Sequence, residues 1–471
     1  MRKLVRILIL LLAASCTSQE AVPTDVLPDI WPDYAGVTIP RSIAPLNFEV
    51  RGADAVQAVL SNGSREVRVR GSFVGIPLRK WRSLTAAGDS LTVQVKARID
   101  GQWRAYLPLS IHLSDDPVDL SLVYRRVDPG YETYARMGIY QRDLASFREK
   151  ALFENTRIDP GCVNCHSFAH CDPASMQLHF RGGKGGTLIH SEAYGSDIYN
   201  MSNPLTLGAV YPYWHPSGRY IAYSVNDIRQ SFHNLPSKVL EVYDLESDVV
   251  LYDVETRTVL VEPLLQDSTA FETFPAFSAD GKTLYFCRAA ASDDFTRIRY
   301  HLYSIGFDPG TGRFDDSLRL VWDRPDKSVS FPRASYDGKS LLFTVSDYGN
   351  FSIWHPEADL YTLDLASGDI APAEALNSED TESYHAWSSN SRWVVFSSRR
   401  EDGRYTRLYI AHCKEDGRFD KPFLLPQRRP QQNTLLLQSY NIPEFCDGPV
   451  RLNKKRIYSD KRTPIKAQKL R

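Results

Sequence analysis

The chain has 471 residues, which exceeds the usual size of one domain and indicates two or three. A hydrophobic fraction of 42% with 24% charged residues is typical of a globular protein and excludes wholesale disorder and a polytopic membrane protein. The formal net charge of -1 lacks the basic excess that nucleic-acid binding requires, so no nucleic-acid partner is expected. With 25 tyrosines, 21 phenylalanines, 28 prolines and 27 glycines, the composition favours strands and turns and predicts an all-β fold.

The N-terminus has the order of an export signal. Three basic residues surround an apolar run over 4–12, which is too short to span a membrane, and small residues at 13–15 precede Cys16. This arrangement resembles the lipobox of bacterial lipoproteins, in which the cysteine is acylated after cleavage. The resemblance implies a lipoprotein signal peptide over 1–16, a lipid on Cys16 and a tether over 17–42. An ordinary secretory signal with an incidental cysteine is the alternative.

Apolar and polar residues alternate with period two through 43–127. Leu91, Val93 and Val95, for example, alternate with polar residues, as in half-buried strands. Asp100 followed by Gly101 is a hairpin signal. The region is predicted to be an Ig-like β-sandwich with a structural role.

In the next segment, 128–175, the apolar residues follow a different spacing. Tyr140, Leu144, Phe147 and Ala151 recur at the interval of one helical face, which predicts a helix from 137 to 154. The fold class expected for the whole chain is therefore all-β: a sandwich, a short helical segment and a further β domain.

Residues 162–166 read Cys-Val-Asn-Cys-His and carry the most specific chemistry in the sequence. C-x-x-C-H resembles the attachment motif of c-type haem, which implies covalent haem c on Cys162 and Cys165 with His166 as an iron ligand. Export agrees with this, because such haem is attached outside the cytoplasm. The alternatives are a Cys162–Cys165 disulfide and a zinc site completed by residues such as His170 and Cys171.

The second axial ligand of such an iron is expected just after the motif. Met176 and His179 are the candidates, and strand alternation would place them on opposite faces. Arg181 would share the face of His179 and could pair with a haem propionate, which favours His179.

An internal repeat occupies most of the remaining chain. The segments 211–223, 274–286, 331–343 and 384–396 share an aromatic-Pro/His start, a turn and an apolar strand. The turns are marked by Gly218, Gly281, Gly338 and Ser391. This signature is similar to the TolB-like, WD-repeat-like β-propeller repeat, in which each unit supplies about four strands.

A propeller of five or six blades is accordingly predicted over 176–450. A split blade that combines 176–190 with 434–437 would close its ring. The tail 451–471 is strongly basic and is expected to be a solvated terminus.

The order of these segments resembles a group of Gram-negative envelope lipoproteins described as cytochrome c-like propeller proteins. The resemblance implies a periplasmic or outer-membrane location and a monohaem protein for electron transfer or redox sensing, whose propeller docks an envelope or redox partner. The alternative is an envelope binding or scaffold lipoprotein that recognises protein or glycan through the propeller, with Cys162 and Cys165 structural. A haem-dependent oxidoreductase is a third hypothesis. No motif of a hydrolase is found.

Overall fold

The computed structural model describes residues 21–129, 136–157, 161–182, 185–201, 208–235, 238–459, 464–466 and 468–469. These residues form two compact units. The first contains the described residues up to 37 together with 45–113 and 426–430, and the second contains 38–44, 114–425 and those after 430. Within the described ranges, no helix is long and apolar enough to cross a membrane.

The first unit is a small β unit with one helix. In chain order, the elements up to residue 114 are β1 (Val22–Pro23), β2 (Ile30–Trp31), β3 (Thr38–Pro40), β4 (Glu49–Val50), β5 (Ala55–Ser61), β6 (Glu66–Gly71), α1 (Leu78–Thr85), β7 (Ser90–Ile99), β8 (Gln102–Ala105) and β9 (Leu109–Ser114). Of these, β3 belongs to the second unit. The main sheet of the first unit has the order β1-β8-β7-β5-β6, and β9 also pairs with β7. Leu91, Val93 and Val95 are buried on one face of β7, as their alternation predicts. The second sheet pairs only the short strands β2 and β4, so it is much smaller than the sandwich expected.

The second unit is almost entirely β-structure. Its elements are β10 (Ser121–Val127), β11 (Met137–Asp143), β12 (Glu149–Glu154), β13 (Val163–Ala169), β14 (Asp172–Phe180), β15 (Gly186–Ser191), β16 (Gly195–Asn200), β17 (Ala209–Trp214), β18 (Tyr220–Leu235), β19 (Lys238–Asp253), β20 (Thr258–Leu260), β21 (Ala270–Phe277), β22 (Thr283–Ala290), β23 (His301–Asp308), β24 (Arg313–Phe314), β25 (Arg319–Trp322), β26 (Ser328–Ala334), β27 (Ser340–Ser346), β28 (Asp359–Asp364), β29 (Ile370–Pro372), β30 (Glu382–Trp387), β31 (Trp393–Ser398), β32 (Arg407–His412), β33 (Phe423–Leu424), α2 (Gln432–Leu435), β34 (Ser439–Cys446), α3 (Lys454–Ile457), β35 (Ile465–Lys466) and β36 (Gln468–Lys469).

These strands form six antiparallel blades in the described part of the chain. Blade one is β13–β16, blade two β17–β20, blade three β21, β22, β23 and β25, blade four β26–β29, and blade five β30–β33. Blade six combines the late strand β34 with the early strands β10, β11 and β12. The two-residue strands β35 and β36 add in parallel to β16 and β20.

The inner strands close a ring. Each contacts the next, from β13 to β17, β21, β26, β30 and β34, and β34 in turn contacts β13. Apolar cores lie between successive blades; one of them, for example, joins Val123 and Ile139 of blade six to Met176 and Leu178 of blade one. The predicted β-propeller is therefore confirmed, with six blades. A ring of this kind removes the open sheet edges that would otherwise favour aggregation.

The repeat signature marks a bulge in every inner strand. One residue in each adopts a left-handed conformation, with φ between 46° and 53°: Cys165, Tyr211, Phe274, Phe331, Tyr384 and Ile442. The next residue is a proline or a histidine in all six. Strand pairing shifts at this point, as it does at β-bulges. Cys165 and His166 thus occupy the position of the repeated aromatic-Pro pair.

Two local expectations were wrong. Residues 137–154 form the hairpin of β11 and β12 and not a helix. Because β11 is buried along nearly its whole length, its side chains lack the alternation that would have identified a strand. The closing blade also differs, since 176–190 lies within the continuous blade one and the split blade is made by β34 with β10–β12.

Candidate functional site

Aromatic rings fill the middle of the propeller channel. Tyr211 lies 4.6 Å from Phe274, Phe274 lies 4.0 Å from Phe331, and Phe331 lies 4.8 Å from Tyr384, measured between ring centroids. All four occupy the bulge position of an inner strand. The backbone N–H of Tyr211 donates to the Cys165 Sγ at 3.3 Å. The rings therefore separate the two ends of the channel.

A tight turn closes the end at which the inner strands finish. His170 and Cys171, which connect β13 to β14, both have positive φ, 47° and 61°. The His170 ring stacks on Tyr336 of blade four at 4.2 Å, and its Nε2 donates to the Ser389 carbonyl of blade five at 3.0 Å. The cavities below this turn measure about 40 and 20 Å³, which is room for water molecules but not for an organic ligand.

The closed end contains buried polar groups. The Nε2 of His166 donates to the Val123 carbonyl at 3.2 Å, and the Nε2 of His385 donates to the Leu342 carbonyl at 2.9 Å. Burial lowers the pKa of His166 to about 4 and that of His385 to about 3, so both rings are neutral. Glu444 accepts from the Phe168 N–H at 3.0 Å, and burial raises its pKa to about 8. This end of the channel is therefore filled by buried polar side chains that are hydrogen-bonded to backbone groups.

A long hairpin lies at the opposite end of the channel. Strands β18 and β19 each have 16 residues, whereas the central strands of the other blades have 6 to 9. A buried carboxylate, Asp244, attaches this long hairpin to the rest of the propeller. It accepts from Asn226 Nδ2 at 2.7 Å, from the Tyr300 hydroxyl at 2.7 Å and from the Asn350 amide. Tyr243 also stacks on Phe295 at 4.2 Å. The hairpin is therefore held firmly at its middle.

A cavity of about 150 Å³ lies between the long hairpin and the channel end, and we call it the hairpin cavity. Alternate residues of β18 supply one wall, as expected for one face of a strand. Arg125 and Arg181 supply positive charge, Asp128 supplies negative charge, and Cys162 contributes a thiol. The lining apolar side chains are Val127, Met137, Val210, Ile228, Phe232, Leu240, Val242 and Phe351.

The structure separates the residues predicted to hold haem. Cys162 and Arg181 line the hairpin cavity, whereas Cys165 and His166 lie beside the small channel cavity. Met176 is fully buried in the core between blades six and one. His179 Nδ1 lies 3.0 Å from the Thr187 hydroxyl of the neighbouring strand. The lipidation candidate Cys16 lies outside the described residues.

The prediction of haem c was wrong. Among the described residues, no group of three or more His, Cys, Asp or Glu side chains could hold a metal ion. His166 Nε2, the atom that would bind iron, carries the proton that it donates to Val123. Met176 and His179 are on the strand paired with that of His166, but Met176 packs in an apolar core and His179 lies against Thr187. The zinc site proposed as an alternative is excluded for the same reason, since the described residues contain no such group of ligands. Cys162 and Cys165 are free thiols, so they do not form the disulfide that was the other alternative.

The sequence analysis did not identify Arg125, Asn226 or the long hairpin. The spacing of the repeats, however, contained a signal for the hairpin. Gly218 and Gly281 are 63 positions apart, against 57 and 53 for the following intervals, so blade two carries additional residues. Arg125 could not have been found in this way, because β10 joins the propeller through a pairing with β34 from the other end of the chain.

Comparisons with known proteins give little further guidance. No protein-family model matches the sequence, and no curated protein matches it. Among solved structures, the tricorn protease is 16% identical with a TM-score of 0.38 over 72% of this chain, which spans 34% of the protease chain. A mutant of the Synechocystis apocarotenoid oxygenase is 10% identical, with a TM-score of 0.39 over 87% of this chain and 98% of the oxygenase. Prolyl oligopeptidase B from Galerina marginata is 10% identical, with a TM-score of 0.38 over 81% of this chain and 54% of the peptidase. Similarity this low supports no transfer of function.

Proposed function

We propose that the protein is a lipid-anchored binding protein of the cell envelope that recognises another protein through the long hairpin of its propeller. The observation that carries this proposal is the apolar surface that the hairpin presents to solvent. Phe232, Leu235 and Leu245 are 50%, 61% and 52% exposed. Exposed apolar side chains grouped on one element are typical of surfaces that bind proteins or membranes.

The charge of the hairpin favours a protein over a membrane. Residues 220–253 contain six acidic side chains and two basic ones. Glu241, Asp244 and Asp253 are buried, so the exposed charge is nearly balanced, and the hairpin lacks the basic excess that binds anionic lipid headgroups. The exposed group also contains two leucines and one phenylalanine, which offer apolar contact rather than the hydrogen bonds that a glycan needs.

The location in the envelope rests on the N-terminal sequence. The apolar run over 4–12 and the small residues before Cys16 support export and acylation. A lipid on Cys16 would keep the propeller at the membrane surface, where a partner in the same compartment could reach the hairpin.

A photocrosslinking experiment in cells tests the proposal. A photoreactive amino acid at Leu245 is expected to give a discrete adduct between this chain and a second protein. The same group at Leu320, 46% exposed on β25 of another blade, is the matched control and should give no such adduct. The adduct should weaken when Phe232→Ser is added, because the apolar surface is then reduced. Equal adducts from Leu245 and Leu320, or none from Leu245, would contradict a specific hairpin surface.

A further inference from the structure

We infer that the hairpin cavity captures the C-terminal residue of a partner polypeptide that ends in a free carboxylate and a large apolar side chain. The inference rests on the proposed function and specifies which part of the partner enters the propeller. It is carried by three features of the cavity: its charge, its volume and one buried hydrogen-bond acceptor.

The charge of the cavity fits one carboxylate. Arg125, which is 9% exposed, and Arg181 both line it. The acidic lining residue, Asp128, accepts a hydrogen bond from Gln438 Nε2 at 2.7 Å. The two guanidinium groups also act on their surroundings, since both oppose the rise that burial causes in the pKa of Cys165. Guanidinium binds carboxylate through paired, charge-assisted hydrogen bonds.

The volume of the cavity fits one apolar side chain. A dry, apolar cavity of about 150 Å³ is large enough for a benzene ring. The wall formed by Ile228, Leu240, Val242 and Phe351 is apolar, so it favours a side chain such as that of phenylalanine or leucine over a polar one. A phosphate group would satisfy the arginines but would leave this wall unfilled.

Asn226 supplies the third feature. Its Nδ2 donates to Asp244 at 2.7 Å and to the Ser247 hydroxyl at 3.0 Å, which fixes the orientation of the amide. Its Oδ1 is buried and has no hydrogen-bond partner among the residues that the structure describes, and the residue lines the cavity. A buried acceptor of this kind needs a donor. The backbone N–H of a C-terminal residue provides one close to both its carboxylate and its side chain.

The surface beside the cavity explains why a polypeptide is inferred rather than a small acid. Phe232 lines the cavity and is also half-exposed, and the exposed Leu235 follows it on the same hairpin. The residues that precede the C-terminus of a bound chain would therefore meet further apolar surface. A small acid would make none of these contacts.

Peptide binding to the full chain tests the inference. The protein carries Cys16→Ser so that it can be studied without detergent. The probe is a hexapeptide, Gly-Ser-Gly-Leu-Leu-Phe, whose leucines can contact the apolar surface at Phe232 and Leu235. It carries an N-terminal fluorophore, and binding is followed by fluorescence anisotropy. The free acid is expected to bind, and the C-terminal amide should bind at least about tenfold more weakly, because a charge-assisted hydrogen bond is lost. A C-terminal aspartate in place of phenylalanine should weaken binding to a similar degree.

Variants connect the binding to the cavity. Arg181→Gln is expected to weaken binding of the free acid about tenfold and to leave binding of the amide unchanged. Arg229→Gln, on an exposed residue of β18 outside the cavity, is the matched control and should bind like the parent. Val242→Trp fills the cavity and should abolish binding. Thermal melts of each variant verify that it is folded.

Three results would overturn the inference. The first is equal binding of acid and amide, and the second is an equal effect of Arg181→Gln and Arg229→Gln. The third is competition by N-acetyl-phenylalanine as strong as that of the hexapeptide, which would show that the cavity binds a small acid. A crosslinked partner at Leu245 together with any of these results would leave the proposed function intact and remove only the C-terminal mode of binding.

Discussion

Single residues in the channel show how position in the fold decides chemistry. Cys165 and His166 belong to a five-residue segment that resembles the haem-attachment motif, yet both lie at the bulge of an inner strand. Four other inner strands have proline where His166 stands, and the fifth has His385, which makes the same kind of hydrogen bond to a backbone carbonyl. The motif could be found in the sequence, but its strand context depends on pairing with β14 and was not visible there.

Glu444 provides a test of the channel at this scale. Its pKa of about 8 in the folded protein lies above its ordinary value of 4.5, because burial disfavours the charged form. The folded state therefore holds the proton more tightly than the unfolded state, and the resulting stability is present below about pH 4.5 and is lost as the pH rises to 8. We expect the free energy of unfolding to fall by about 2–4 kcal/mol between pH 5 and 8.5 as a result of this group.

The variant Glu444→Gln should remove that part of the pH dependence. Urea denaturation of the wild type and the variant at both pH values measures the difference. Glu379→Gln, at an exposed position, is the control and should follow the wild type. If Glu444→Gln loses as much stability as the wild type over this range, the carboxyl group is not held in its neutral form.

At the scale of single elements, the turn of each blade was predictable and the hairpin of blade six was not. The sequence around Gly218, Gly281 and Gly338 combines a turn residue with a following apolar strand, and all three glycines have φ close to 72°. This agreement arises because the turn is local. Strand β11 is buried on both faces, which depends on distant neighbours, and β12 is buried only at Leu152 and Phe153, so neither strand alternates regularly. The sequence pattern there was closer to that of a helix.

The turns at Gly218 and Gly281 have different surroundings, so alanine substitutions at these two glycines can be compared directly. At Gly218 a Cβ atom would meet nothing within 4 Å, whereas at Gly281 it would lie 2.1 Å from His215 Nε2. The His215 ring is buried, donates to the Gly281 carbonyl at 3.0 Å and packs on Phe277 at 4.9 Å. It therefore has little freedom to move.

Gly218→Ala should cost only the backbone strain of a positive φ, about 1 kcal/mol. Gly281→Ala should cost about 2–3 kcal/mol more, because the histidine must leave its site. Urea denaturation of both variants measures this difference. Adding His215→Ala to Gly281→Ala should recover part of the excess. Equal losses in the two single variants would mean that the contact between His215 and the turn of blade three is not formed.

At the scale of the whole molecule, the repeats predicted a propeller and a ring closed by the two ends of the chain. The number and location of the closing strands could not be deduced, because blade six lacks the full signature. Ile442, Pro443 and Glu444 retain the bulge and the proline, and Asp447 and Gly448 follow them, but residues 449–459 contain no strand to pair back on β34. Strand β10 of this blade lies more than 300 positions earlier, and only its pairing with β34 identifies it.

This closure makes a strong prediction about truncation. A chain that ends at Gln438 lacks β34, so β10 would keep β11 but lose its other partner over 121–127, and the inner strands of blades five and one would each lose a neighbour. Both would expose the backbone groups and apolar side chains of open edges. We expect this chain to aggregate, or to melt at a clearly lower temperature and over a wider range than the full chain. The control ends at Ser459 and retains all six blades; of the elements that the structure describes, it lacks the two-residue strands β35 and β36. It should melt within a few degrees of the full chain. Differential scanning calorimetry of the three proteins measures these transitions. A chain ending at Gln438 that melts as sharply as the full chain would show that the blades are stable without the joined ends.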